Sequence, residues 1–555
     1  MEQPERGELA SDPGAFNLPA DQQYIGVLAR VGEKRGEPMH SSRVTKESPA
    51  PPMARRDRAR IVFAVVKRAH FPEMYRTACG MLRSGKFVPV ILFTGDEDFD
   101  FSDELALCEA AGLDFIVDSD AEKFGHIVKN KSTAGPAGSE TGEALFVSAA
   151  PSGIRHRLKH LPVLGPVLKK VRDVYTRCVV TKTAFICLPW HLSRLRRLRQ
   201  SAKNILQRAQ SDVVVVPHIE TGRLLGCIAI EAKALGTPVV VIPYTWIFRE
   251  EIMKVYIGKP EYQTSRLINR WVSRKYPQWL YKGYLFLPPV YIVAFGWLGL
   301  PTANPWMEDD TADVIALESE VMLRSYVADG VAASKCRVTG SASHDILALV
   351  RSTAGASDST AARGTGRQDD KSQFVLSFLP PDQTPNQMAG FEFASYWNML
   401  LFWIATVTAD DAIPAIFSLH PRMRNLKGSL LARFPKLRIY DGDACELIPH
   451  AKFCVGQFGG MMRYAIACAK PVLYYDVFDY RISGDEFTSV SSVITVNRRA
   501  AFAATYARFA TDTAYFASLE KNARANASDW GKLDGRAVER IEALIASECL
   551  RSYSS

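Results

Sequence analysis

The sequence predicts an α/β protein of two doubly wound domains facing a cleft, with a basic insert in the first domain. Three observations predict it. Apolar runs of strand length recur along the chain, as in parallel strands buried on both faces. Helical patterns separate these runs, which is the βαβ rhythm of an open parallel sheet. A polar stretch at 352–373 (STAGASDSTAARGTGRQDDKSQ) cuts the rhythm into two series and reads as a linker. At 47% hydrophobic and 23% charged residues the chain can bury a real core, which excludes a wholly disordered, collagen-like or multi-span membrane protein.

Residues 1–58 are rich in Pro, Glu, Arg and Ser without apolar periodicity, so a disordered tail is expected. Their polar start lacks the apolar region of a secretory signal. The first domain spans 59–351. Its first strand is Arg60–Val66, followed by a helix at 74–82, a strand at 87–93, a helix at 103–111 and a strand at 115–117. The stretch 129–153 is small and polar and reads as a loop. The rhythm resumes with a strand at 212–216, a helix at 222–235 and a strand at 238–243. A strand at 313–316, a helix around 319–329 and a strand at 336–339 close the domain. The second domain, 374–555, has strands at 374–378, 415–419, 437–440, 453–455 and 471–475, with helices at 391–407, 461–469 and 536–549. Ligands of such sheets bind outside the carboxyl ends of the strands.

Four segments at predicted strand ends carry candidate chemistry. Gly459-Gly460 opens a helix, where free N–H groups and a positive dipole end suit a diphosphate, and Arg463 lies one turn in. Ser418-Leu-His-Pro-Arg422 puts His420 and Arg422 after a strand, an imidazole and a forked guanidinium suited to phosphate oxygens. Val216-Pro-His218-Ile-Glu220 and Lys67-Arg-Ala-His70-Phe-Pro-Glu73 each supply a His and a Glu, residue types that serve as general bases. The ten cysteines form no CxxC pair and no tight His/Cys cluster, so neither a zinc module nor a disulfide framework is expected.

Several of these segments carry a family resemblance. Val338-Thr-Gly-Ser-Ala-Ser-His-Asp345 looks like a VTGNxxxD segment, and Ala451–Gly460 with Ala469-Lys-Pro-Val-Leu473 looks like an A-D-x6-G-G…G-K-P-V-L pattern. Both resemble the GT-B glycosyltransferase and UDP-N-acetylglucosamine 2-epimerase superfamily, whose domains are Rossmann-like. The Leu419-His-Pro-Arg422 stretch is similar to the HP motif of CDP-glycerol, polysialic acid and capsule-polysaccharide transferases. The chain departs from an epimerase at Met461-Met462-Arg463, where acidic residues are usual, at His70-Phe-Pro-Glu73, where Arg-Pro-Glu is usual, and at Lys452, where the superfamily has Asp.

The resemblance implies a nucleotide-sugar-dependent glycosyltransferase without bound metal or other cofactor, its acceptor a lipid-linked or surface polysaccharide. It implies a donor site of His420, Arg422, Gly459, Gly460 and Arg463, with Asp476 or Asp479 on donor hydroxyls. It leaves His70, Glu73, His218 or Glu220 as the base. A CDP-glycerol-type glycerophosphotransferase, a 2-epimerase and a non-catalytic membrane scaffold are the alternatives.

Charge suggests where this happens. The net +9 is concentrated: 151–210 holds fourteen Lys/Arg against one acid, Asp173, and 262–307 holds five against none, so the rest of the chain sums to −9. Within the first insert, Leu192, Leu195, Leu198, Ala202, Ile205 and Leu206 fall at helical spacing among Arg194, Arg196, Arg197, Arg199 and Lys203. That pattern predicts an amphipathic helix in a membrane interface. The second insert adds Trp271, Trp279 and Trp297, residues that favour the headgroup level. No nucleic-acid motif accompanies them, so an anionic membrane is the expected partner and the inner face of the cytoplasmic membrane the expected location. The apolar run 284–300 is too short to span and is broken by Pro288-Pro289, so it is read as interfacial, re-entrant or buried.

Overall fold

A computed structural model describes residues 58–94, 101–118, 183–246, 253, 256–300, 311–361, 374–383, 390–409, 413–457, 459–479, 487 and 489–550. All but the last residue of the tail expected at 1–58, the loop at 129–153, the basic stretch 151–182, the insert's end at 301–307 and residues 362–373 lie outside these.

The first sheet has seven strands, all parallel: β1 Arg60–Val65, β2 Val88–Phe93, β3 Asp114–Val117, β4 Val213–Val216, β5 Val239–Val241, β8 Val314–Leu317 and β9 Cys336–Val338. Their spatial order is β3-β2-β1-β4-β5-β8-β9. The second sheet has six parallel strands: β10 Phe374–Leu379, β11 Ala415–Leu419, β12 Arg438–Tyr440, β13 Ala451–Gly456, β14 Val472–Tyr475 and β15 Val493–Val496. Their order, β12-β11-β10-β13-β14-β15, repeats the same plan. Both are doubly wound, Rossmann-like sheets of the kind paired in the GT-B fold. Their inner strands read as unbroken apolar runs because both faces are covered. Val62 and Ala64 of β1 enter one core, and Ile61, Phe63 and Val65 enter the core on the opposite face. The first of these cores runs on into the second domain through Leu376, Cys454 and Met462.

The helices begin with α1 Phe71–Ser84, α2 Ser102–Ala111, α3 Leu188–Ala209 and α4 Leu224–Ala234. After them come α5 Leu267–Lys275, α6 Pro289–Trp297, α7 Glu320–Ala328 and α8 Ala342–Ala361. The second domain adds α9 Tyr396–Val407, α10 Lys427–Arg433, α11 Gly460–Ala467, α12 Arg499–Thr511, α13 Thr513–Trp530 and α14 Ala537–Leu544. Two differ from expectation. Residues 352–361 are not linker but the last turns of α8, which Asp345, Leu347 and Val350 anchor from its first half. The closing helix α14 returns to the first sheet. Its first N–H groups, Ala537 and Val538, donate to Asp345 at 2.8 and 3.0 Å, and Ile541 and Leu544 join the core behind β1.

The basic inserts fold onto the first domain. In α3 the stripe of Leu195, Leu198, Ala202, Ile205 and Leu206 is buried in protein, not offered to lipid, because α4 and the strand faces beneath supply the apolar partner it needs. Among the residues expected at the membrane, Arg199 pairs with Glu231 at 2.5 Å and Arg194 donates to the Gly222 carbonyl at 3.3 Å. Arg196 and Arg197 are exposed. Trp279, 1% exposed, is a core residue and is withdrawn from the membrane set, whereas Trp271 and Trp297 are 50% and 62% exposed. The run 284–300 supplies the β7 end of a small hairpin (β6 Leu280–Tyr281, β7 Tyr284–Leu285) and the buried helix α6. Leu195, Val272, Trp279, Ile292 and Phe295 form the insert's own small core. No described helix is long and apolar enough to cross a membrane.

Candidate active site

Two reversals of strand order place the candidate residues. The first sheet reverses between β1 and β4, the second between β10 and β13, and chain leaving such neighbouring strand ends diverges to open a crevice. His70 follows β1, and His218 and Glu220 follow β4, so the first reversal brings three of the four first-domain candidates together. The His70 and His218 rings meet edge to face at 4.9 Å. Tyr244, just beyond β5, packs on them at 4.6 and 5.5 Å.

The two imidazoles differ in what they can do. His70 Nδ1 accepts from the Val66 N–H at 3.4 Å, while its Nε2 is buried without a hydrogen-bond partner. Burial, then the nearby His218 and Lys67, push this imidazole down to about 2, so it stays neutral with its proton on Nε2 and serves as a hydrogen-bond donor. His218 Nε2 faces Glu220 Oε2 at 3.6 Å, and its Nδ1 is buried without a partner. Glu220 also faces Arg223 at 3.5 Å and Lys67 at 4.0 Å. Burial alone would raise this carboxyl. The His218 contact and the charges of Arg223 and Lys67 outweigh burial and hold it at about 2. An ionised carboxylate thus faces an imidazole whose second nitrogen is buried without a hydrogen-bond partner.

Glu73 is not part of this cluster. It is buried, accepts from the Ala342 N–H at 2.6 Å and the Ser343 hydroxyl at 2.7 Å, and so caps the start of α8. Burial pushes it above the usual carboxylate range. Its sequence position beside His70 is misleading because α1 begins at Phe71 and swings its side chain to the other side of the turn.

In the second domain, His420 follows β11, Gly459-Gly460 follow β13, and Asp476 and Asp479 follow β14. All lie at the carboxyl edge, with β11 and β13 two strand spacings, about 10 Å, apart. His420 Nδ1 accepts from the Arg422 N–H at 3.2 Å, leaving Nε2 to carry the proton, and burial with the Arg422 charge lowers it to about 4. At the N-terminus of α11, a side chain at Gly459 would meet the Gln457 carbonyl at 3.9 Å and one at Gly460 the Arg463 guanidinium at 3.8 Å, both ordinary contacts. Asp476 and Asp479 are buried, and Asp479 accepts from the Asn497 amide at 3.1 Å.

Arg463 corrects the expected donor set. It is 1% exposed and forks onto Glu318, just past β8 of the first sheet, at 2.5 and 3.3 Å. The pair bridges the carboxyl edges of the two sheets, and an Arg76–Asp443 ion pair makes a second bridge. Sequence reasoning also missed Tyr244, Lys67 and Arg223. Each stands at or beside a strand end already singled out or its neighbour, so applying the strand-end rule to β5 as well would have found Tyr244.

Comparison with known proteins leaves the fold assignment resting on the sheet order. No family model and no curated protein matches the sequence. Among solved structures, the chain is similar to the UDP-GlcNAc 2-epimerase of Neisseria meningitidis bound to UDP-GlcNAc. Identity there is 12%, coverage 88% of this chain and 100% of that one, and the TM-score 0.46. It is similar to the glycotransferase of kitacinnamycin, at 12% identity, 88% and 99% coverage and a TM-score of 0.45. It is also similar to Anabaena HepE in complex with UDP, at 12% identity, 88% and 100% coverage and a TM-score of 0.41.

Proposed function

We propose that the chain is a nucleotide-sugar-dependent glycosyltransferase acting on a lipid-linked or surface-polysaccharide acceptor at the cytoplasmic leaflet. The observation that carries this reading is the unpartnered Nδ1 of His218, whose Nε2 faces Glu220 at the first sheet's reversal. In the proposed step the acceptor hydroxyl gives its proton to His218 Nδ1. Its oxygen bonds to the sugar's anomeric carbon as the bond from that carbon to phosphate oxygen breaks. The diphosphate leaves with the electron pair, and Glu220 stabilises the imidazolium. The Nε2–H of His70 donates to a substrate oxygen. The leaving diphosphate is met by the Gly459-Gly460 end of α11, the Arg422 guanidinium and the neutral His420 Nε2–H rather than by a metal ion. Asp476 and Asp479 would meet donor hydroxyls.

The test is incubation with a panel of nucleotide sugars, with and without lipid-linked acceptor. Nucleotide release should require acceptor and should be lost in His218→Ala while donor affinity, measured by calorimetry, stays unchanged. A 2-epimer formed without acceptor, or glycerophosphate transfer from CDP-glycerol, would sink the glycosyltransferase reading.

A further inference from the structure

Helix α5 is built inside out. Its inward positions are Asn269, Val272 and Ser273, two of them polar, while Leu267, Ile268 and Trp271 face outward at 79%, 53% and 50% exposure. Surface helices normally turn their apolar residues to the core. Here the inward Asn269 ties the helix down instead, its amide donating to the carbonyls of Glu261 and Gln263 at 2.8 and 3.0 Å. Leu267, Ile268 and Trp271 join Phe185 around one shallow apolar depression, next in the chain to Ile186 at 80% exposure. Scattered exposed apolar residues are ordinary, but a contiguous group marks a contact surface.

The collar of this patch names the occupant. Arg266, Arg270, Arg274 and Lys275 are all exposed around it, and no ion pair among the described residues engages them. Lys275 Nζ sits 5.6 Å from the Trp271 ring centre. A protein partner would have to supply acids around an apolar plug. An anionic bilayer supplies both at once, acyl chains beneath a sheet of negative headgroups.

We infer that α5 is the membrane-docking element, inserting Leu267, Ile268 and Trp271 into an anionic leaflet while Arg266, Arg270, Arg274 and Lys275 pair with headgroups. This moves the membrane face away from α3, whose apolar stripe is spent on the core. It is independent of the proposed chemistry.

The experiment is flotation of the full chain with vesicles of phosphatidylcholine alone and of phosphatidylcholine with phosphatidylglycerol. Binding should require phosphatidylglycerol, weaken with salt, and shift Trp emission to the blue. Each of Arg270→Gln and Arg274→Gln should lower partitioning about fivefold. Leu267→Asp should abolish binding with an unchanged melting temperature, since that side chain touches little protein. His218→Ala should float like the wild type, which separates this result from any failure of the catalytic reading. Three results would overturn the inference. One is equal binding to neutral vesicles, and another is full binding by Leu267→Asp. The third is a wild-type dimer that Leu267→Asp makes monomeric, showing that the patch joins two copies.

Discussion

At the scale of single residues, burial keeps the imidazoles of His70 and His420 neutral. His344 is the clearest case outside the cluster: it is fully buried, and burial lowers it to about 4 from 6.5. Below pH 6.5 the unfolded chain takes up a proton there and the folded chain does not. Stability is therefore complete above pH 6.5 and falls as pH drops towards 4, by about 1.4 kcal/mol per pH unit for this residue. The difference in unfolding free energy between wild type and His344→Asn should change by about 2 kcal/mol between pH 7 and 5, read from urea melts, the wild type losing more. Glu220, held at about 2 against 4.5 in the unfolded chain, adds its own loss of stability below about pH 5, and this cancels in the comparison with His344→Asn. At His218 the expected outcome of His218→Ala is a loss of about 10²–10⁴ in kcat with KM for the donor little changed. His70, His218 and Glu220 were legible in the sequence because each follows a buried strand. Their division of labour was not, since it depends on which ring nitrogen each backbone and carboxylate neighbour engages. Arg463 was misread for a related reason. An arginine one turn past Gly-Gly suits phosphate in any sequence, and its true partner Glu318 is 145 residues away.

At the scale of elements, periodicity announces a helix but not what its apolar side meets. The stripe on α3 has the spacing of an interfacial helix, yet α4 and the core of the first sheet wait beneath it. Leu198→Ala should therefore cost about 2–5 kcal/mol in chemical denaturation, whereas Arg197→Ala should change it by less than about 0.5 kcal/mol. The opposite pattern would be expected of a helix held by lipid. The nine-residue α5 gave no such stripe because its apolar residues interleave with arginines, so its outward face emerged only with the fold. Most strands of both sheets were legible, since strands covered on both faces are continuous apolar runs. β15, Val493–Val496, where only Val493 is buried and Thr495 is exposed, was not, and neither were α12 and α13, which lie beyond the last such run.

At the scale of the whole molecule, one buried and one half-buried ion pair decide how the carboxyl edges of the sheets meet. Removing one partner of the Glu318–Arg463 pair strands a charge at 1–4% exposure. Arg463→Met alone should cost about 3–5 kcal/mol, and adding Glu318→Gln should recover much of it in a double-mutant cycle. An additive double variant would show that the two side chains do not interact in solution.

One contact made in passing has a reach beyond its size. Gly222 lies two residues past Glu220 with a positive φ of 80°, and a side chain there would collide with the Phe295 ring. Phe295 belongs to the same small core as Val272 of the docking helix, and Arg194 holds the Gly222 carbonyl from above. If His218 is the base and α5 the docking helix, the loop bearing the one is clamped to the small core beneath the other. Such a clamp acts as a gauge block. It would set one height above the bilayer at which a hydroxyl can be deprotonated, so that an acceptor would be selected by how far its reactive end stands off the membrane as well as by its chemistry.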